Sequence, residues 1–594
     1  MKYFCNPINI DYRYQFNKDP RVGKLQICRE AADPSLIKYK GKYYIFASMQ
    51  LKVWVSDDLI NWESYKLPNN LPLYDYAPDV RVIGDYVYFS ASSRDNICDY
   101  YKTKDIINGP YEKIEGTFSF WDPNIFEDDD GRIYFYWGCS NISPIYGVEV
   151  DRETLKPLGE KKELIFGHPF EIGYERVGND NSKYPKSDEE IEMLYQGFVK
   201  KQGVPENMLP DNVKPLIRGM LSDKPYIEGA WLNKINGKYY FQYAAPGTQY
   251  NTYSDGVYIA DNPLGPFVLA DNNPYSYLPG GFMSGAGHGS TLVDDNGKMY
   301  HTSTMQISVN HDFERRVGIW PSFIDEDGQL VCDQRYGDWP IDLNNAEPFK
   351  DPDYYLLSYK KEMKASSYIE GHEPLYAADE NSKTWWRANS NKEGQWLKCD
   401  LGQTYDVKGI QINFADDVIS DQEPQGEIKG ISQARWIDDR QHKTRWYLEA
   451  SLDDINWFML KDKSKVTTDL AHDYIDLEEM IKARYIRLTI IEIPMNQNPC
   501  ISGLRVFGKG SGKKPDIVKY ELKRQDDLDM LVEIDDIGCG YNILFGNSPD
   551  KLYHSYKTYD CVKRVGALIK GREYYVRVDS FNENGITQGI VKKL

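Results

Sequence analysis

Four carboxylic acids and one histidine stand at corresponding points of a recurring pattern in the first part of the chain: Asp33, Asp79, Asp122, Glu228 and His288. Each adjoins a Pro or Gly and opens an apolar run that leads through a glycine turn into an aromatic run. Side chains so distant in sequence can act together only if the fold gathers them. Gathered, they suit the cleavage of a glycosidic bond. One carboxylate activates water and a second, protonated, donates to the leaving oxygen; in the inverting version the two stand roughly 6.5–9.5 Å apart to leave room for the water. A third carboxylate beside the acid raises its proton affinity by like-charge repulsion. An Asp beside Pro also opens turns, so the recurrence carries this reading and no single residue does.

The elements that must position these groups are short strands. Ala32-Asp33-Pro34-Ser35-Leu36-Ile37 leads to Gly41-Lys42-Tyr43-Tyr44, and Ala77-Pro78-Asp79-Val80 to Gly84-Asp85-Tyr86-Val87-Tyr88. Trp121-Asp122-Pro123-Asn124-Ile125-Phe126 leads to Asp130-Gly131-Arg132-Ile133-Tyr134, and Ile227-Glu228-Gly229-Ala230-Trp231 to Gly237-Lys238-Tyr239-Tyr240. The last is Gly287-His288-Gly289-Ser290-Thr291, leading to Asn296-Gly297-Lys298-Met299-Tyr300. Each reads as a β-hairpin with Gly in the turn. The lead residues are 46, 43, 106 and 60 positions apart. The first two intervals match the roughly 40–50 residues of a propeller blade built from four strands. The third holds an insertion near Phe166–Leu221 with the clearest helical run, Ser187–Lys201. The expected fold is all-β: a five-bladed β-propeller over residues 1–350, then two β-sandwiches. In a propeller the innermost strands line a channel, where the five lead residues would converge.

Composition narrows the function. Of 594 residues 41% are hydrophobic and 27% charged, as in a globular chain of several domains. Lys and Arg number 71 against 90 Asp and Glu, a net charge of −19 that repels phosphate backbones and argues against a nucleic-acid partner. No run approaches the ~20 apolar residues of a membrane helix, so no membrane partner is expected. Met1-Lys2-Tyr3-Phe4-Cys5-Asn6-Pro7 lacks an apolar signal core. That start reads as cytoplasmic, or as secreted if a leader has been removed. The nine Cys are scattered, without zinc spacing, and read as reduced core residues. GxSxG, P-loop, HExxH and GxGxxG patterns do not occur. Aromatic residues make 14% of the chain (47 Tyr, 22 Phe, 13 Trp), which suits strands and sugar faces alike.

Over about residues 25–345 these motifs resemble glycoside hydrolase family 43. Ala32-Asp33-Pro34 is similar to its general-base segment, Trp121-Asp122-Pro123 to its pKa-modulator segment, and Ile227-Glu228-Gly229 to its general-acid segment. Ser56-Asp57-Asp58-Leu59-Ile60-Asn61-Trp62 resembles its S-x-D-L-x-x-W signature, and Tyr76-Ala77-Pro78-Asp79-Val80 its second-blade motif. The resemblance implies that Asp33 deprotonates water, Glu228 protonates the leaving group and Asp122 holds Glu228 and raises its pKa. It implies that His288 helps to hold a hydrated Ca²⁺ at the propeller centre; a hydrogen-bonded channel filler is the other reading of an axial His. Glu314-Arg315-Arg316-Val317-Gly318-Ile319-Trp320-Pro321 resembles the segment that supplies a substrate-contacting Arg, and spacing to Pro321 favours Arg315 over Arg316. Asp79, Arg315, Arg316 and Trp121, which adjoins Asp122, are the substrate-binding candidates. Phe46, Trp54 and Trp231 are further aromatic candidates that also suit the core. The insertion is expected to close one side of the pocket and favour removal of terminal sugars.

Ala346-Glu347-Pro348-Phe349-Lys350-Asp351-Pro352 reads as a linker. Residues 355–508 then carry alternating strands that resemble a discoidin-like (factor 5/8 type C) sandwich, which either binds sugar or braces the propeller; the Asp416–Arg445 stretch is unusually long and polar for such a domain. Gly508-Lys509-Gly510-Ser511-Gly512-Lys513-Lys514 reads as a flexible linker. Residues 515–594 resemble a fibronectin type III sandwich, with a hairpin turn at Asn582-Glu583-Asn584-Gly585. The expectation is an inverting exo-glycosidase that takes terminal pentoses from oligosaccharides, a β-xylosidase first and an α-L-arabinofuranosidase next, with an exo-galactosidase third. A non-catalytic carbohydrate-binding protein is the alternative from another class, and it would have no need of the full carboxylate set.

Overall fold

The computed structural model describes residues 3–18, 24–72, 76–92, 96–203, 205–421 and 434–594. Part of the polar Asp416–Arg445 stretch therefore lies outside the described residues. The architecture is all-β. Five antiparallel sheets of four strands follow one another along the chain, each pairing its strands in sequence order. Their leading strands are Ser35–Tyr39, Asp79–Ile83, Asn124–Glu127, Glu228–Ile235 and Ser284–Val293. Each leading strand packs against that of the next sheet, and the fifth returns to the first, so the sheets form a closed ring of the propeller type. The turn glycines do what a tight hairpin needs: Gly41 and Gly237 take φ of +81° and +79°, a region closed to most residues, and point into open space.

The insertion packs beside residues 140–143 of the third sheet and 224–227, which lead into the fourth. Helix α1 (Asp188–Gln202) opens with a reciprocal cap, in which the Ser187 hydroxyl accepts from Glu190 N–H while the Glu190 carboxylate accepts from Ser187 N–H, and stops at Gly203 in the left-handed region. Only Ile191, Tyr195 and Val199 are buried, one stripe at helical spacing. Helix α2 (Val213–Leu221) lies against it, joined by the Arg218–Glu192 ion pair. Between these helices and residues 140–143 lies a cavity of about 630 Å³ with Phe166 and Phe170 in its wall.

Beyond the ring, eight strands between Tyr355 and Lys509 pair into one extended sheet around a core that includes Trp386, Trp446, Leu448 and Leu488. A three-stranded and a five-stranded sheet follow, whose core runs into that of the third and fourth ring sheets. The expected hairpin is present, with Asn582 paired to Gly585. The stretch read as a flexible linker is instead pinned: Gly510 N–H donates to Glu583 O, Gly512 N–H to Asn584 Oδ1, and Asn582 Nδ2 to Lys513 O. Its glycines allow this close approach, since a Cβ at Gly510 would fall 2.1 Å from Asn584 Oδ1.

Buried ion pairs lock the ring to the later sheets. Arg29 reaches Asp416 and Asp469 (2.9 Å each), Arg505 reaches Asp338 and Glu380 (3.3 and 2.8 Å), and Arg176 reaches Asp529 (2.8 Å). The strand Ala434–Ile437 also joins Arg13–Lys18, which pairs in turn with Leu25–Glu30, so one small sheet is built from both ends of this interface. Among the described residues no helix is long and apolar enough to cross a membrane, and no two Cys form a disulfide. Breaking a buried pair leaves uncompensated charge, so Arg29→Ala should lower stability to urea by about 3–5 kcal/mol; a loss below about 1 kcal/mol would show that these pairs do not hold the interface.

Candidate active site

A backbone kink repeats where each leading strand begins. Asp33, Ala77, Asp122, Gly229 and His288 have φ of 52°, 51°, 48°, 65° and 51°, all in the left-handed region. Non-glycine residues enter it at a cost of order 1–3 kcal/mol and stay only where their surroundings hold them. At the first three the hold is a hydroxyl from the preceding sheet. Asp33 N–H donates to Thr304 Oγ1 (2.9 Å), Ala77 N–H to Ser48 Oγ (2.7 Å) and Asp122 N–H to Ser92 Oγ (2.9 Å). Two residues further on, side chains stitch neighbouring sheets: Ser35 Oγ donates to Pro78 O, Ser290 Oγ to Pro34 O, and Asn124 Oδ1 accepts from Leu232 N–H.

This register corrects the reading of Asp79. It occupies the stitching position, 1% exposed, and its carboxylate accepts from Ile125 N–H (2.7 Å), Asn124 Nδ2 (3.1 Å) and Tyr100 Oη (3.3 Å). Burial pushes its pKa up to about 7 despite Arg81. Its place in the register is taken by Ala77, which has the left-handed φ, and the Asp79 carboxylate is spent on joining two sheets. Arg316 is likewise corrected. Consecutive strand residues face opposite ways, and Arg316 turns outward to His472 Nε2 (2.9 Å) and Arg29 O (2.8 Å) at the interface with the later sheets. Arg315 turns inward. Phe46, Trp54 and Trp231 are buried in packing, Trp231 beneath the Arg81 guanidinium at 3.4 Å. Trp121 is half-buried beside Asp122.

The remaining groups do come together. His288 Nδ1 stands 3.4 Å from Asp33 Oδ1 and 3.7 Å from Asp122 Oδ2. Single ligand atoms of Asp122, Glu228 and Cys139 lie within 4.8 Å of one another. Asp33 accepts from Ser48 Oγ (2.6 Å) and Arg315 Nη1 (3.2 Å). Burial alone would raise its pKa; Arg315, His288, Ser48 and Thr304 outweigh that and hold it below the usual carboxylate value. Asp122 receives only a backbone N–H, from Gly229 (3.3 Å), besides His288. Burial, with the charges of Glu228 and Asp33, pushes it up to about 7 against the pull of His288. His288 itself would be lowered by burial, but Asp33, Asp122 and Glu228 hold it above its ordinary value.

Glu228 is half-buried, with Tyr253 Oη donating to Oε1 and Cys139 Sγ to Oε2 (3.0 Å). Neither donor was picked out from sequence. Cys139 had a signal: it follows the strand Ile133–Trp137 by two residues, as Ser48 follows Lys42–Phe46 and Ser92 follows Tyr86–Ser90. Tyr253 had none. The site thus gathers three carboxyl groups, one charged guanidinium and one imidazole into one cluster, which supplies groups able to accept and to donate a proton.

Residues 27–175 and 190–330 match the family described as Glycosyl hydrolases family 43. This part of the chain belongs to that family. The break at 176–189 falls inside the insertion. Residues 376–488 match the NedA-like, galactose-binding domain, a factor 5/8 type C domain. Among relatives, the family 43 region is similar to a xylosidase/arabinosidase of Bacteroides ovatus (24% identical over 278 residues, 40% of this chain and 76% of that protein). It is similar also to xylosidase/arabinosidase 43A of Humicola insolens (24% over 339 residues, 51% and 96%) and to a β-xylosidase of Xylanibacter ruminicola (32% over 172 residues, 27% and 44%). Among solved structures, the GH43 BlXynB protein of Bacillus licheniformis is 14% identical, with a TM-score of 0.40, covering 85% of this chain and 99% of that one. The family match and the curated relatives make this chain a glycosidase.

Gly229 ties this family 43 site together, because a Cβ there would fall 3.0 Å from His288 Cγ and 3.2 Å from Ala244 Cβ on a backbone with φ of +65°. Gly229→Ala should displace His288 and lower kcat at least tenfold, with about 1–2 kcal/mol lost in stability from the strained φ; unchanged kcat would mean that the packing around His288 does not set the site.

Proposed function

We propose that this protein is an inverting exo-glycosidase that removes terminal pentose residues from oligosaccharides, a β-xylosidase first and an α-L-arabinofuranosidase second. The observation that carries the mechanism is the unequal treatment of two buried aspartates: Asp33 is paired with Arg315 and Ser48, whereas Asp122 faces Glu228 and is pushed towards its neutral form. Asp33, ionised, takes a proton from a water that attacks the anomeric carbon. Glu228, protonated, gives its proton to the glycosidic oxygen as the C–O bond breaks. The new bond forms on the face opposite the leaving group, so the configuration inverts. Asp122, with a carboxyl oxygen within 4.8 Å of one of Glu228, is the neighbour that positions the acid. Arg315 and His288 keep the base charged.

The pentose class rests on the names borne by the relatives, two of them xylosidase/arabinosidase and one β-xylosidase. The exo mode is supported by the insertion, whose helices line a cavity with residues 140–143 and 225–227, next to Cys139 and Glu228. We read the five sheets as five propeller blades, the domain at 376–488 as a sandwich able to bind carbohydrate, and the last two sheets as fibronectin type III-like. Calcium enters only as a structural ion: His288 and Asp255, whose buried Oδ1 has no hydrogen-bond partner, are the groups that would hold it, and it would add positive potential at the channel centre. A purely carbohydrate-binding protein would gain nothing from carboxylates held at such cost.

Hydrolysis of aryl β-xyloside, α-arabinofuranoside and β-galactoside tests the proposal. Asp33→Asn should cost about 10²–10⁴-fold in kcat. Glu228→Gln should cost as much on an oligosaccharide and far less on a nitrophenyl glycoside, whose leaving group needs no proton. Variants as active as the parent would overturn the roles. The pH profile follows from the same charges. Because Asp33 must be ionised, the acid limb of kcat/KM should lie below the ordinary Asp value of ~3.9. Asp122→Asn takes away the carboxyl group that stands beside Glu228 and His288 and should lower kcat at least about tenfold on every substrate the parent cleaves; a variant as fast as the parent would contradict the role of Asp122.

A further inference from the structure

The buried ion chain that holds Asp33 does not end inside the family 43 domain. Arg315 gives Nη1 to Asp33 Oδ1 (3.2 Å) and Nη2 to Glu30 Oε1 (2.6 Å). The other oxygen of Glu30 accepts from Arg435 Nη2. Arg435 lies outside the family 43 match and inside the galactose-binding-like one. Its strand, Ala434–Ile437, is brought there by pairing with Arg13–Lys18, Arg435 opposite Asn17. Glu30 is 0% exposed, Arg315 4%, Asp33 5% and Arg435 6%, so water screens none of the four charges. They alternate in sign: Asp33, Arg315, Glu30, Arg435. The two guanidinium groups share the same pair of rings, Arg315 at 4.9 Å and Arg435 at 5.9 Å from Phe313, and at 5.6 and 4.8 Å from Tyr76. Those rings pack edge to face at 5.8 Å.

We propose that Arg435 is a positioning residue of the hydrolysis: the galactose-binding-like domain supplies the terminal charge of the chain that aims Asp33, and the active site is complete only when both domains are docked. The proposal rests on Asp33 as the base. Its physical reason is competition for Arg315. Glu30 gives one oxygen to each guanidinium; without Arg435 a buried carboxylate is left with Arg315 alone and draws that guanidinium away from Asp33. The Asp33 carboxylate then loses the contact that fixes its direction.

The other groups around the chain do not replace Arg435. Asp33 faces Arg315, His288 and Asp122, with Tyr253 and Cys139 further off. Glu30 faces Arg315, Arg435, His311 and Cys28. Burial holds His311 below its ordinary value against the pull of Glu30 and Asp312, and lifts Cys28 well above its own, so both are neutral at pH 7.

The test is kcat and KM of the full-length protein on the aryl glycoside that the parent cleaves, with kcat expressed per folded enzyme. Arg435→Gln should lower kcat about tenfold, with KM changed less than twofold. Arg435→Lys, which keeps the charge, should keep kcat within about threefold of the parent. The double variant Glu30→Gln/Arg435→Gln removes both charges, leaves Arg315 to Asp33 and should recover most of the lost kcat. A merely structural role would make the double variant at least as slow as the single one, so an unchanged kcat in Arg435→Gln, or a double variant as slow as the single one, overturns the proposal. Asp33→Asn, assayed alongside, separates the two readings: if it is inactive while Arg435→Gln keeps the parental kcat, Arg435 alone is wrongly placed, whereas an active Asp33→Asn removes the base itself.

Discussion

Two buried carboxylates beside one imidazole cannot both keep their charge on equal terms, and the site is organised around settling that inequality. Arg315, Ser48 and Thr304 all attend Asp33, while Asp122 has His288 and one backbone N–H set against burial and a neighbouring Glu228. The rest of the site serves that division. The left-handed kinks aim the side chains inward, hydroxyls from the preceding sheet hold the kinks, and closure of the ring brings the fifth sheet's Thr304 and Arg315 against the first sheet's Asp33. Charge placement and ring closure are thus one constraint seen at two scales.

The same logic extends beyond the ring. Fully buried ion pairs are expensive to desolvate and add little net stability, but they penalise any arrangement that leaves one partner behind. Arg29, Arg176 and Arg505 each cross from one part of the chain to another. Such pairs specify how the parts dock more than they hold them together. The Glu30–Arg435 pair sits in this set, yet differs from the others in that its second partner, Arg315, reaches the reacting groups. A domain that looks like an accessory is in this way wired to the chemistry.

Much of this was legible in the residues. The five hairpins follow from Gly between an apolar and an aromatic run, and Asp33, Asp122, Glu228 and His288 follow from recurrence. Asp79 was misread because Ala77-Pro78-Asp79 puts its only acid two positions late, and a bare alignment by acidity cannot distinguish a channel-facing site from a stitching one. The backbone distinguishes them, since Ala77 has the kink and Asp79 does not. Arg315 and Arg316 are separated by strand alternation, which spacing to Pro321 sensed only faintly. The glycine- and lysine-rich stretch at 508–514 reads as loose by composition, and is held because Asn582 and Asn584 reach it. Glu30, Tyr253 and Arg435 carry no local signature; their partners are set by tertiary contact alone.

The unequal protonation of Asp33 and Asp122 is open to direct observation by ¹³C NMR of protein labelled at aspartate Cγ, with Asp33→Asn and Asp122→Asn used to assign the two resonances. The account predicts that the signal lost in Asp122→Asn titrates near pH 7 and that the one lost in Asp33→Asn is that of a carboxylate from about pH 4 upward. Two signals that titrate together, or an Asp33 that gains its proton at the higher pH, would contradict it.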